Sequence, residues 1–138
     1  MFYDLTSPDR GVLEQLSDIL GKAEAGLDPT VFRIASASSQ IYQMLDITGQ
    51  LPPCQVELRE RGLLVHFRSG GQSLAWAVPY WQVSIQHNDG KLSLFAGQHQ
   101  LRLEQPQGER VDRLYIARLY ERIASSTGQD HDIYGGQP

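Results

Sequence analysis

Between Gln55 and Glu104 apolar and polar residues alternate with a period of two, and only short glycine-bearing clusters and one proline interrupt the pattern. A period of two belongs to strands that bury one face. Val56 and Leu58, then Leu63, Val65 and Phe67, then Leu74, Trp76 and Val78 mark three strands. Trp81, Val83 and Ile85, then Leu92 and Leu94, then Leu101 and Leu103 mark three more. The connections Arg61-Gly62, Ser69-Gly70-Gly71, Asn88-Asp89-Gly90 and Gly97-Gln98 carry residues that tolerate positive φ in tight hairpins. They are too short to hold crossover helices, so the six strands should form an antiparallel meander. Pro79-Tyr80 stands apart: proline donates no amide to a ladder and should mark a bend or a sheet corner.

The flanks read as helix. After Ser7-Pro8-Asp9, the spacing of Val12, Leu13, Leu16, Ile19 and Leu20 predicts a helix from about Pro8 to Lys22, capped by Ser7 or Asp9. Asp28-Pro29 repeats the start signal, and Val31, Ile34, Ile41, Met44 and Leu45 predict a second helix toward Gly49. The small-residue run from Ala35 to Ser39 lowers helix propensity there and favours a kink or a break. Past Gln105-Pro106-Gln107-Gly108, the stripe Val111, Tyr115, Leu119 and Ile123, widened by Ile116 and Tyr120, predicts an amphipathic helix over 111–125 that covers the open inner face of the meander. Residues 128–138 have no period and are expected to form a flexible tail. The expected fold is α+β: a single domain over 1–127 in which a helical part, 1–50, precedes a β-meander with a C-terminal helix, 51–127.

Composition bounds the function. A chain of 138 residues with 41% hydrophobic and 20% charged residues can build one core. Its net charge of −4 lacks the basic surplus with which nucleic-acid binders replace phosphate counterions, so no nucleic-acid partner is expected. A single cysteine, Cys54, forms no internal disulfide and fits a reducing, cytoplasmic setting. No stretch approaches the roughly 18 uninterrupted apolar residues of a membrane helix.

No catalytic pattern emerges. His66, His87 and His99 would bind zinc or act as acid and base only if they met in space, yet His66 falls on the polar phase of its strand and the other two flank turns. Cys54 would need a base to become a thiolate. The serines form no nucleophile elbow, and the glycines form no phosphate loop. No cofactor, metal or catalytic residue is therefore assigned. Two surfaces stand out instead. Arg59, Arg61 and Arg68 surround the first hairpin as a candidate site for anionic groups. Trp76, Tyr80 and Trp81 flank Pro79, where aromatics either fill a core corner or, beside an unpaired strand edge, form a groove for an extended peptide.

The run Leu74-Ala-Trp-Ala-Val-Pro-Tyr-Trp-Gln-Val-Ser-Ile85, followed by Asn88-Asp-Gly-Lys-Leu-Ser-Leu94, Leu101-Arg-Leu103 and a closing helix, resembles the strand and helix order of bacterial pleckstrin-homology-like domains over about residues 55–126. That resemblance implies a strongly bent antiparallel sheet closed at one end by the last helix, with seven strands where six are counted here. Its phosphoinositide-binding members use basic residues on the first hairpin, which would point to Arg59, Arg61 and Arg68. Many other members are protein-binding scaffolds. The expected function is a non-catalytic protein-interaction or scaffold module of a cytosolic bacterial protein. The alternatives are a membrane-surface module acting through the three arginines and a small hydrolase using His66 or His87. The partner is expected to be a protein or peptide.

Overall fold

The computed structural model describes residues 1–23, 30–45, 51–69, 71–88, 90–105 and 113–133. Eight strands form one antiparallel sheet: β1 (Phe2–Asp4), β2 (Thr30–Ala37), β3 (Pro53–Leu58), β4 (Gly62–Ser69), β5 (Gln72–Pro79), β6 (Ser84–Asn88), β7 (Lys91–Ala96) and β8 (His99–Glu104). Their order across the sheet is β1-β5-β4-β3-β2-β8-β7-β6. Three helices complete the fold, α1 (Arg10–Leu20), α2 (Ser39–Leu45) and α3 (Arg113–Ile133).

All six expected strands have a counterpart, although the one marked by Trp81, Val83 and Ile85 begins only at Ser84 and leaves Trp81 exposed on the preceding 3-10 turn, and three of the hairpins have the expected tight turns. Ser69 pairs with Gln72, Asn88 with Lys91 and Ala96 with His99, leaving two residues for each turn. Gly71 and Gly97 adopt φ of 86° and 59°, a region that L side chains rarely occupy. The single meander is corrected to two. β3-β4-β5 and β6-β7-β8 are each a meander, but β5 and β6 do not pair. Pro79 ends β5, a 3-10 turn over Tyr80–Gln82 redirects the chain, and β6 begins the other outer strand of the sheet.

The strand that joins the two meanders lies where a second helix was expected. Within β2, Thr30 to Arg33 pair with β3, and Arg33 to Ala37 pair with β8. Between Ile34 and Ser36 the register slips by one residue, leaving Ala35 as the extra residue of a bulge. Phe32 and Ile34 point into the core two residues apart, and the bulge makes the next step three, to Ala37 opposite Leu101. Strand, bulge and the following helix α2, which buries Ile41 and Leu45, together imitate one long helical period. For that reason the helix prediction failed over Thr30–Ala37, while past the break expected near Ala35–Ser39 it holds over Ser39–Leu45. The part of that prediction covering 46–49 lies outside the described residues. β1, the eighth strand, was not expected; it pairs Phe2 with Trp76 and Asp4 with Leu74.

The main core lies on one face of the sheet, where Phe32, Val56, Val65, Phe67, Trp76, Leu92 and Leu101 meet Ile41 of α2 and Tyr115, Ile116 and Leu119 of α3. The stripe on α3 therefore does what its spacing implies, and the helix runs to Ile133, past its expected end at 125 and into the stretch expected as a flexible tail. Val111 lies outside the described residues. Tyr115 also donates its hydroxyl to the Val56 carbonyl at 2.5 Å, tying helix to strand.

A smaller core lies on the opposite face, where Leu16 and Leu20 of α1 cover Leu64, Ala75 and Ala77. Asp9 caps this helix, its carboxylate accepting from the Val12 amide at 2.9 Å. At the other end Gly62 lets α1 approach β4: a Cβ there would lie 2.5 Å from Leu20 Cδ2 and 2.5 Å from the Val78 carbonyl oxygen.

Two substitutions test this packing by chemical denaturation. Leu119→Ala should cost about 2 to 5 kcal/mol as a buried large-to-small change, against a change within about 0.5 kcal/mol for exposed Glu121→Ala. Gly62→Ala should cost about 1 to 3 kcal/mol by overpacking, since the Val78 carbonyl is backbone within a paired strand. Equal stability of Leu119→Ala and Glu121→Ala would contradict the placement of α3.

Candidate functional site

The aromatic group around Pro79 divides on burial. Trp76 is 1% exposed and Tyr80 2%, and both belong to the main core. Tyr80 donates its hydroxyl to the Arg59 carbonyl at 2.6 Å, and its amide donates to the Arg61 carbonyl at 3.0 Å. Both therefore pack as core, one of the two roles open to this group, and Trp76 also lines a cleft of about 610 Å³. Trp81 is different: it is 63% exposed on the 3-10 turn that leads into β6.

β6 is the last strand of the sheet, paired with β7 on one side only. In an antiparallel ladder every second residue turns its N–H and C=O away from the partner strand, and among the described residues no strand pairs with the outer side of Ser84–Asn88. Its sequence, Ser-Ile-Gln-His-Asn, contains no lysine, glutamate or proline, the usual guards of an exposed edge. The opposite outer strand, β1, has only three residues.

The three arginines do not converge. Arg59 contacts Glu57 (Nε to Oε2, 3.2 Å) and donates to the Gly21 carbonyl at 3.1 Å. Arg61 donates to the Ser17 and Asp18 carbonyls at 3.1 and 2.9 Å. Both thus satisfy carbonyls at the end of α1, where a cation also complements the helix dipole. Glu60 makes a different bond there, its carboxylate accepting from the Lys22 amide just past the helix at 2.7 Å. Arg68 sits near the far end of β4 from Arg61, about 20 Å along the strand at about 3.3 Å per residue. The cluster expected for anionic headgroups is therefore not formed by these three.

The histidines occupy three separate places. His66 lies opposite Ala75 in the β4–β5 register, as hairpin counting predicts, and its Nε2 is 3.4 Å from Glu57 Oε2. Contact with His66, and secondarily with Arg59, holds the Glu57 carboxyl below its usual range against the opposing effect of burial. Sequence reasoning missed this partnership, although Glu57 shares the polar phase of β3 with Gln55, which pairs directly with His66. His87 lies on β6 with its Nε2 buried and without a hydrogen-bond partner among the described residues.

His99 is not the plain turn residue expected. Its ring packs edge-on against Phe2 at 5.0 Å and against Trp76 at 5.8 Å, with Phe2 and Trp76 stacked at 6.0 Å. Burial, and then the nearby Met1 amino group, lower its pKa. Among the described residues no three His, Cys, Asp or Glu side chains gather as a metal site.

Cys54 faces the core, and burial pushes its thiol up to about 12, so it stays protonated at neutral pH. Two clefts open on the surface. One, of about 610 Å³, lies between the end of β5 and the β7–β8 turn and is lined by Gln40, Val78, Gln82, Gln98 and His99 among others. The other, of about 340 Å³, lies on the face opposite the main core, where Val31, Gln55, His66, Arg68 and Ser73 line it.

Two measurements check these environments. Cys54 should resist iodoacetamide in the native protein and react on unfolding; rapid native labelling would contradict its burial. His99 favours its neutral form in the fold, so its contribution to stability is present above the ordinary histidine range, about 6.5, and is lost as pH falls through the lower folded value. Denaturation midpoints should therefore drop between pH 7 and 5, and His99→Gln should flatten that slope.

No protein-family model, curated protein or solved structure matches this chain, so its function is argued from its own residues.

Proposed function

We propose that this chain is a non-catalytic protein-interaction module that takes an extended peptide along the outer edge of β6, with Trp81 as the side-chain anchor. One observation carries the reading: an unguarded five-residue edge strand begins next to a tryptophan that is 63% exposed. Main-chain hydrogen bonds to an open edge supply affinity without regard to sequence, and a neighbouring aromatic supplies selectivity.

The surroundings favour recognition over catalysis. The only thiol is buried and protonated. The Glu57–His66 pair has the form of an oriented base, but among the described residues no hydroxyl or thiol hydrogen-bonds to His66. The likeness to pleckstrin-homology-like domains supports the same reading. Eight strands precede α3, one more than that resemblance implies, and the support it lends is the antiparallel sheet, the closing helix and the Pro79-Tyr80 step between β5 and β6. Membership of that family and a cytoplasmic setting are part of this proposal.

Peptides selected from a random library on the immobilised protein test it. Selected peptides should perturb the amide resonances of Ser84 to Asn88 and lose at least about tenfold in affinity on Trp81→Ala, as for an aromatic anchor worth over 1 kcal/mol. Peptides that bind Trp81→Ala as well as the parent protein, or whose resonance changes map to another face, would end the proposal.

A further inference from the structure

The 340 Å³ cleft lies on strands β2 to β5, away from the β6 edge, and its side chains are placed by the sheet register. Val31 pairs with Gln55 and Gln55 with His66, so these three form one row across the outer face. Arg68 pairs with Ser73 in the next row, and Arg33, opposite Pro53, continues that row on β2. Neighbouring strands lie about 4.8 Å apart, so Gln55, His66 and Arg68 sit side by side on β3 and β4, with Val31 and Ser73 flanking them on β2 and β5 about 14 Å from each other.

The chemistry of the lining is one-sided. The Gln55 amide, the Arg68 guanidinium and the Ser73 hydroxyl can all donate hydrogen bonds, and no Asp or Glu lines the cleft among the described residues. Glu57, which contacts the cleft residue His66, is also engaged by Arg59. Arg33 is paired with Glu104 at 3.2 Å. Arg68 makes no ion pair or side-chain hydrogen bond among the described residues, although the chain carries a net charge of −4. An unpaired guanidinium beside further donors, with Val31 and Pro53 as an apolar wall, is suited to a forked oxyanion attached to a small apolar body.

We infer that this cleft is a binding site for a small organic oxyanion, a carboxylate or a phosphate monoester, held by Arg68 with Gln55 and Ser73 and packed against Val31 and Pro53. The inference is independent of the β6 reading, because the two sites share no residue.

Titrating the isotope-labelled full chain at low ionic strength with phenyl phosphate, benzoate, inorganic phosphate and benzyl alcohol tests it. Phenyl phosphate or benzoate should shift the Gln55 side-chain amide and the Val31, Arg68 and Ser73 resonances, with a Kd near or below about 1 mM. The tighter of the two identifies the oxyanion. Inorganic phosphate should bind at least about tenfold more weakly than phenyl phosphate if the apolar wall contributes. Arg68→Gln should weaken binding at least about tenfold. Gln55→Glu, which places a carboxylate in the cleft, should abolish it, and both exposed sites should leave the spectrum otherwise folded. Absence of shifts for both anions at about 10 mM, equal binding by Arg68→Gln, equal binding of inorganic and phenyl phosphate, or equal shifts with benzyl alcohol would each overturn the inference.

Discussion

β2 has backbone partners on both of its edges, and the rest of the structure depends on that double pairing. Without it, β3-β4-β5 and β6-β7-β8 would be two three-stranded meanders, each with an apolar face and nothing to register it against the other. The bulge at Ala35 allows one strand to serve both. A bulge bends its strand and increases its local twist, so the two halves of the sheet can enclose one core. The small residues around it fit this place. Ser38 donates its amide to the Gln100 carbonyl at 2.9 Å, and its hydroxyl accepts from the Gln100 amide at 3.2 Å, which extends the β2–β8 ladder into the turn before α2. Arg33 and Glu104 pair at the position where β2 changes partners.

The opposite face follows a different logic. A two-residue contact of leucines from α1 on Leu64, Ala75 and Ala77 is a thin core, and polar groups supplement it. The loop from Arg59 to Arg61 accepts Tyr80 on one side and engages the end of α1 on the other, through the Arg61 amide to the Leu20 carbonyl at 2.7 Å and the Glu60 amide to the Lys22 carbonyl at 2.9 Å. Charges that read as a surface cluster are thereby spent on helix carbonyls. The same bonds fix the register of the β3–β4 hairpin, because they fasten its tip at three consecutive residues.

Much of the fold was legible where one physical signal acted alone. From Gln55 to Glu104 the period of two, the glycines and the turn lengths all agree, and each hairpin forms where they place it. Sequence failed at β2, where a bulge and a short helix combined to imitate a different period. It also failed at β1, because three residues are too few to show one. The strand order was hidden for a further reason: period and turn chemistry report local pairing, whereas the β2–β8 and β1–β5 ladders join residues about seventy positions apart. Site residues were less legible than strands. Whether Trp76 and Trp81 are core or surface depends on which side of Pro79 the chain reverses, and five residues of separation carry no record of that.

The aromatic group at His99 closes the sheet on the side that β2 does not reach. β1 lays Phe2 on Trp76 of β5, and His99 at the start of β8 meets both rings edge-on. Edge-to-face contact directs the positive rim of one ring to the negative face of another, and such pairs contribute about 0.5 to 1.5 kcal/mol beyond their buried area. Here those contacts bridge the two meanders, whose strands are joined among the described residues through β2. The bridge favours a neutral imidazole, since one of its nitrogens is buried without a partner among the described residues and a charge there would be desolvated. The two halves are therefore joined by a backbone ladder on one side and by side-chain contact on the other. That division leaves β6, the strand farthest from both fastenings in the sheet order, with its outer ladder open.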